Sequence, residues 1–211
     1  MRKRHLEMAL SEMTDMTEPD VRLEQYRTPP ALVSDILWEA LRRGDVEERL
    51  ILELGCGGAP FALGALMLGS SSAMGLDIDP RCLEIARNNY ALLVDQDYLK
   101  KTSKLDLLEG DVCDPALGLP VFNTVFMNPP FGAQNRHADR GFIRRACECG
   151  SVIYSIHNGT TREFVLAEYE RMGASNIEAM EASMELPHRF HFHRSGKETV
   201  DVLLVRVTVI R

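Results

Sequence analysis

Asn128-Pro129-Pro130-Phe131 places an amide, two conformationally locked residues and an aromatic ring in four consecutive positions. The carbonyl of the Asn128 amide accepts hydrogen bonds. So does the backbone carbonyl of Pro129, because a proline loses its N–H but keeps its carbonyl. Two acceptors side by side suit a planar group that carries an exocyclic NH2. Phe131 offers a flat apolar face for the ring behind that group, and Pro130 stiffens the loop on the substrate side. A tight turn with a core phenylalanine is the other use of such a tetrapeptide, so the surroundings decide.

Those surroundings favour the chemical reading. Asn123-Thr124-Val125-Phe126-Met127 is a short apolar, β-branched and aromatic run, expected to be a buried strand. The two prolines cannot continue a central strand. The amide therefore stands at a strand's carboxyl end, where open α/β sheets bind ligands.

A second cluster lies upstream. Leu50–Leu54 is the first convincing strand, followed by Gly55-Cys56-Gly57-Gly58-Ala59-Pro60 and an apolar helix over Phe61–Leu68. Strand, glycine turn and helix form a cradle for a nucleotide-like ligand, and glycine permits close backbone approach. Ser72–Asp77 is a second strand that ends in an acid. Asp77 lies about twenty residues past the glycines, the spacing at which a carboxylate meets ribose hydroxyls. Pro80 opens a helix to about Leu93, with Asp79 as its cap. Leu105–Glu109 is a short third strand with an acid inside it, which suits a sheet edge. After it, Asp111 could accept a hydrogen from an adenine amino group with Val112 against the ring, or could be a turn aspartate.

The remaining segments frame these two clusters. Lys3 to Thr14 can form a short helix. The prolines after Gln25-Tyr26-Arg27-Thr28 break the chain and open another helix, with Thr28 near its cap. Gln25, Tyr26 and Thr28 are either packing and capping residues or part of a ligand rim. Gly132–Arg140, including Arg136, is polar and basic and suits a substrate loop. Ser151–His157 is a strong strand, and Thr160 or Thr161 is expected to cap the helix that runs to about Met172. His157 reads as structural, since no nucleophile elbow accompanies it. Ser175–Glu185 and Thr199–Ile210 read as a closing strand pair. Between them Arg189, Phe190, Arg194 and Lys197 interleave cations with aromatic residues and histidines. That mixture suits stacking on bases and pairing with phosphates, or a solvated hairpin tip.

The 211 residues bound one domain. The formal net charge of −7 argues weakly against a nucleic-acid partner, but it is unevenly spread. Residues 1–120 carry 13 Lys and Arg against 21 Asp and Glu, whereas residues 121–211 carry 11 against 10 together with five of the six histidines. A polyanion should meet the carboxyl-terminal half. Five scattered cysteines form neither a CxxC pair nor a disulfide framework, so no metal site is expected. No stretch suits a membrane span or a signal peptide, and a cytoplasmic protein is expected, with a nuclear or nucleolar pool if the source is eukaryotic.

A hydride-transfer enzyme would use the glycine cradle but leave Asn128–Phe131 without work. A methyl donor built on adenosine and a sulfonium uses both clusters. At this point the sequence resembles the class I, S-adenosylmethionine-dependent N6-adenine methyltransferases. More closely, it resembles the small ribosomal-RNA enzymes called methyltransferase-like protein five, with their archaeal relatives. The landmarks are Leu23–Thr28 (LEQYRT), Glu53–Gly57 (ELGCG), Gly75–Asp79 (GLDID), Gly110-Asp111, Asn128–Gly132 (NPPFG), Thr161-Arg162-Glu163 and Leu186-Pro187.

The resemblance implies an α/β, Rossmann-like fold with a seven-stranded mixed sheet and helices on both faces. It implies a single domain over 1–211, with 1–30 an extension bordering the donor site. S-adenosylmethionine would be the donor, with Gln25, Thr28, Glu53, Gly55, Gly57, Asp77, Asp111 and Val112 around it. Asn128, Pro129 and Phe131 would place the substrate, with Pro130, Arg136, Arg189, Phe190, Arg194 and Lys197 contacting it. The substrate would be an adenosine of small-subunit rRNA, and a small zinc-binding activator protein would join along the edge Leu105–Glu109. Ala59 departs from the family, which usually has glycine there, and its methyl is expected to tighten the cradle. A protein glutamine amide offers similar NH2 geometry and is the alternative substrate, although those enzymes usually carry tyrosine where Phe131 stands. A non-catalytic RNA-binding scaffold is the other alternative.

Overall fold

The computed structural model describes residues 1–131, 138–186 and 198–210. Arg136, Arg189, Phe190, Arg194 and Lys197 lie outside the described residues, so the expected basic substrate surface does too.

Two helices precede the sheet, α1 (Lys3–Glu12) and α2 (Pro30–Arg42), with a 3-10 turn at Val21–Leu23 between them. Strand and helix then alternate through β1 (Leu50–Leu54), α3 (Pro60–Met67), β2 (Ser72–Asp77), α4 (Pro80–Asp95) and β3 (Leu105–Glu109). Next come β4 (Phe122–Met127), α5 (Asp139–Cys149), β5 (Gly150–Asn158), α6 (Arg162–Arg171), β6 (Ala174–Leu186) and β7 (Glu198–Val209). The strands form one sheet in the order β3-β2-β1-β4-β5-β7-β6. β1 lies parallel to both β2 and β4, and the last strands run antiparallel. This is the expected mixed sheet.

Side chains alternate across each strand, so each strand feeds two cores. Ile51, Phe126, Tyr154, Ile156 and Val202 pack with α1 to α4 on one face. Leu52, Leu54, Val125, Ile153, Leu203 and Val205 pack with α5 and α6 on the other. The first face is keyed by an aromatic column: Phe61 stacks on Phe126 and Phe126 on Tyr154, each with ring centroids 5.3 Å apart. α1 buries Leu6, Ala9 and Leu10 in this core, so the amino-terminal extension is packed rather than appended.

The threonines stand at the expected helix starts but make no side-chain cap bonds. Thr28 directly precedes Pro29, which occupies the N-cap position of α2 without a side-chain bond. Thr161 occupies the N-cap position of α6, also without a side-chain bond. Asn158 Oδ1 accepts from the Thr160 N–H at 3.0 Å and starts a 3-10 turn that leads into the helix. Asparagine competes well for such turns because its short amide reaches the backbone two residues on.

Candidate active site at the switch point

The strand order reverses between β1 and β4, and the turns after β1, β2, β3 and β4 open on one end of the sheet. A cavity of about 310 Å3 lies there. Gly55, Gly57 and Gly58 come from the first turn, Asp77 and Ile78 from the second, Gly110, Asp111 and Val112 from the third, and Asn128 and Pro130 from the fourth. The amino-terminal segment closes the cavity with Asp15, Met16, Leu23, Glu24, Gln25 and Tyr26. Asn128 and Pro130 of the acceptor cluster therefore share one space with the donor cluster, whereas Pro129 is buried and Phe131 packs against the core, neither lining that space.

The glycine turn needs its glycines. Gly55 has φ +64°, and a Cβ there would sit 3.1 Å from the Phe142 ring. Gly57 has φ +53° with open space where a Cβ would go. The Gly57 N–H donates to Asp77 Oδ2 at 2.8 Å, and the Asp79 N–H donates to Asp77 Oδ1 at 3.0 Å. These bonds fix the Asp77 carboxylate while leaving lone pairs for a ligand. Burial raises the Asp77 carboxyl above its ordinary range, and the backbone N–H bonds oppose that rise. Asp111 Oδ1 accepts from the Cys113 N–H at 2.8 Å, which is the turn role, yet Asp111 also lines the cavity beside buried Val112.

Gln25 bridges two elements. Its Oε1 accepts from the Asp20 N–H at 2.8 Å, and its Nε2 donates to Asp79 Oδ2 at 3.0 Å. The Arg81 guanidinium, hydrogen-bonded to Asp79, holds that carboxyl well below the usual range, with Gln25 helping. Asp79 is thus a helix cap, a guanidinium partner and an anchor for the arm.

Glu53 and Thr28 are placed differently from the rest of the expected donor set. Neither lines the larger cavity; both border an adjoining space of about 80 Å3. Glu53 is 3 % exposed and accepts from the Phe61 and Ala62 N–H groups at 3.3 and 2.8 Å, so it anchors the start of α3. Burial pushes its carboxyl up to about 8 against the pull of those two bonds. Thr28 instead accepts from Asn128 Nδ2 at 2.9 Å. Ala59 does not tighten the cradle. It takes the left-handed conformation at φ 61°, fully buried, with its methyl in the core and outside both cavities.

At the acceptor side Asn128 is half-buried, its Oδ1 3.3 Å from the Tyr26 hydroxyl. The Phe131 ring packs against Tyr26 with centroids 5.1 Å apart and planes tilted by 59°. Two further residues carried no signal in the sequence. Phe142 underlies Gly55. Asn89, fully buried, receives the Thr14 N–H at 2.8 Å and donates to Thr14 O and Gly58 O at 3.1 and 3.0 Å. That single amide ties the arm, α4 and the glycine turn together. His157 lies away from the cavity, 1 % exposed, between Asp139 at 3.2 Å and Ser155 at 2.9 Å. Ser155 Oγ is itself buried against the Tyr169 hydroxyl at 2.8 Å, so this row is a core network.

The cavity's charge narrows the donor. Asp15, Glu24, Asp77 and Asp111 line it, and among the described residues no Lys or Arg does. Such a lining suits an adenosine carrying positive charge and opposes a pyrophosphate or triphosphate.

Similarity to known proteins agrees. The protein is 30% identical over 212 residues to the zebrafish (Danio rerio) rRNA N(6)-adenosine-methyltransferase METTL5, covering 99% of both sequences. The chain belongs to the METTL5 family. An uncharacterised protein of Methanocaldococcus jannaschii is 34% identical, covering 98% of this chain and 94% of that protein. A Pyrococcus horikoshii crystal structure, provisionally described as an RNA methyltransferase, superposes with a TM-score of 0.86 at 33% identity, covering 100% of this chain and 99% of that one. The family model for ribosomal protein L11 methyltransferase (PrmA) matches residues 36–112 only. That span runs from α2 through β3 and stops before Asn128, so the likeness covers the donor side and not the acceptor loop. Fold, family and cavity make this member of the METTL5 family a class I methyltransferase that uses S-adenosylmethionine.

Proposed function

We propose that the protein methylates the N6 amino group of an adenosine in small-subunit ribosomal RNA. One observation carries the reading: Asn128 and Pro130 line the same acidic cavity as Gly57, Asp77 and Asp111, so acceptor loop and donor cradle share one space. The METTL5 relative, named for its activity on rRNA adenosine, supports the substrate.

Gly55 and Gly57 give the donor room, Asp77 meets its ribose, and Asp111 and Val112 meet its adenine. The bound donor supplies an electrophilic methyl group on a sulfonium that leaves as a neutral thioether. The protein's own residues do the rest by positioning and preorganised electrostatics. Asn128 Oδ1 and the Pro129 carbonyl accept the two amino hydrogens and fix the nitrogen in place. Positive charge develops on that nitrogen as it bonds to carbon, and the two carbonyl acceptors stabilise it through its hydrogens. The resulting cationic nitrogen is a strong acid and gives up its proton to water, so no strong protein base is required. Phe131 keeps the base flat.

The activator belongs to the same proposal. β3 pairs only with β2 among the described residues, and Asp106 and Glu109 on it are exposed. An open edge of this kind accepts a strand from a partner, and we assign it to a small zinc-binding activator protein.

The test is methyl transfer to deproteinised small-subunit RNA, with and without such an activator, followed by nucleoside mass analysis. N6-methyladenosine is the expected product. Methylation of a protein glutamine with no labelled RNA would overturn the assignment.

A further inference from the structure

We infer that Thr28 and Tyr26 are positioning residues that set which way the Asn128 amide faces. The inference rests on the amino-methylation reading above and deepens it. The two ends of an asparagine amide are nearly the same size, so sterics do not choose between them. They are opposite in function. A carbonyl offered to a substrate NH2 accepts a hydrogen, whereas an NH2 offered to it repels.

The structure supplies the missing choice. Asn128 Nδ2 donates to Thr28 Oγ1 at 2.9 Å, and the Tyr26 hydroxyl donates to Asn128 Oδ1 at 3.3 Å. The flipped amide would need the phenol as acceptor and the threonine as donor. That pairing is weaker, because the phenol oxygen shares its lone pair with the ring, which makes it a good donor and a poor acceptor. Burial holds the Tyr26 phenol well above its ordinary range, so it keeps the proton that it donates. The Asn128 oxygen has a second lone pair that Tyr26 does not use, and that one serves the substrate.

Both partners are held firmly. Thr28 is 6 % exposed and stands just before Pro29 and Pro30. The Tyr26 ring packs on Phe131, and Gln25 beside it is tied to Asp79 on the donor side. The LEQYRT segment therefore holds the donor wall with one residue and orients the acceptor amide with two others.

The experiment compares Thr28→Val, Thr28→Ser and Tyr26→Phe in the full-length protein, with its activator wherever the wild type requires one. Thr28→Val should lower kcat by roughly tenfold, the size of one lost orienting hydrogen bond. Its donor Kd, by calorimetry, should stay at the wild-type value. Thr28→Ser should restore most of kcat, and Tyr26→Phe should give a smaller fall. Independently of any activity, the side-chain NH2 resonances of Asn128, identified by their loss in Asn128→Ala, should shift in Thr28→Val and return in Thr28→Ser. Unmoved resonances in Thr28→Val overturn the inference. So does a serine variant as poor as the valine one, or a donor Kd that worsens in step with kcat. A wild-type protein that never methylates RNA contradicts the proposed function instead, and the resonances still decide the orientation of the amide.

Discussion

The Gly57 N–H donates to Asp77 Oδ2 at 2.8 Å, so the turn after β1 hangs from the carboxylate that closes β2. The acid thus shapes the cradle and lines the cavity. Asp77→Asn should weaken the donor by roughly tenfold to a hundredfold, as expected when a charged acceptor becomes a neutral amide. Calorimetric titration with S-adenosylmethionine measures this, and an unchanged Kd would remove Asp77 from the donor site.

The same carboxylate gives a pH dependence. Burial raises its protonation range above that of an ordinary aspartate. The ionised form is the one that attracts a cationic donor, so affinity should be full at high pH and decline on acidification. The decline should start at a higher pH than a free carboxylate would give, and Asp77→Asn should abolish it. Calorimetric titration repeated from acidic to neutral pH reads both arms.

Glu53 makes the opposite prediction for stability. Its folded-state carboxyl titrates at about 8, above its ordinary value, because it is buried. The folded protein then holds a proton that the unfolded one has lost, so stability is full below the unfolded value and falls as pH rises toward 8. Glu53→Gln should flatten that fall. Thermal melts at pH 6 and at pH 9, values bracketing roughly the folded-state titration, give the comparison, and parallel wild-type and variant curves would contradict it.

Asn89 should matter to stability out of proportion to its place in the sequence. Asn89→Ala leaves Gly58 O, Thr14 N and Thr14 O without their shared partner. The expected cost is about 2 kcal/mol or more, seen as a Tm lowered by roughly 4–8 °C. A melt indistinguishable from the wild type would mean that the arm is held by its apolar contacts alone.

The sequence carried more of the sheet than of the site. β1, β2 and β3 end where their runs meet glycine or acid, so the carboxyl ends of these short strands announce themselves by composition. The glycine turn, Asp77 and Asn128 were legible because each is local to a strand end. The Asn128–Thr28 bond was not, since it spans a hundred residues and threonine before proline reads equally well as a cap. Asn89 gave no signal at all, as a polar residue within a helix looks like solvent-facing surface until the arm covers it. Ala59 misled for a backbone reason: its left-handed φ turns the methyl into the core and away from the ligand space.

In the proposed mechanism the Asn128 and Pro129 carbonyls grip a planar amino group in front of the donor. The most direct test is single-turnover methylation of small-subunit RNA by the wild type and by Asn128→Ala, with donor Kd measured on both. Loss of a preorganised acceptor predicts a rate lower by roughly 10²- to 10³-fold with donor affinity retained. Methylation by Asn128→Ala at the wild-type rate would contradict the account.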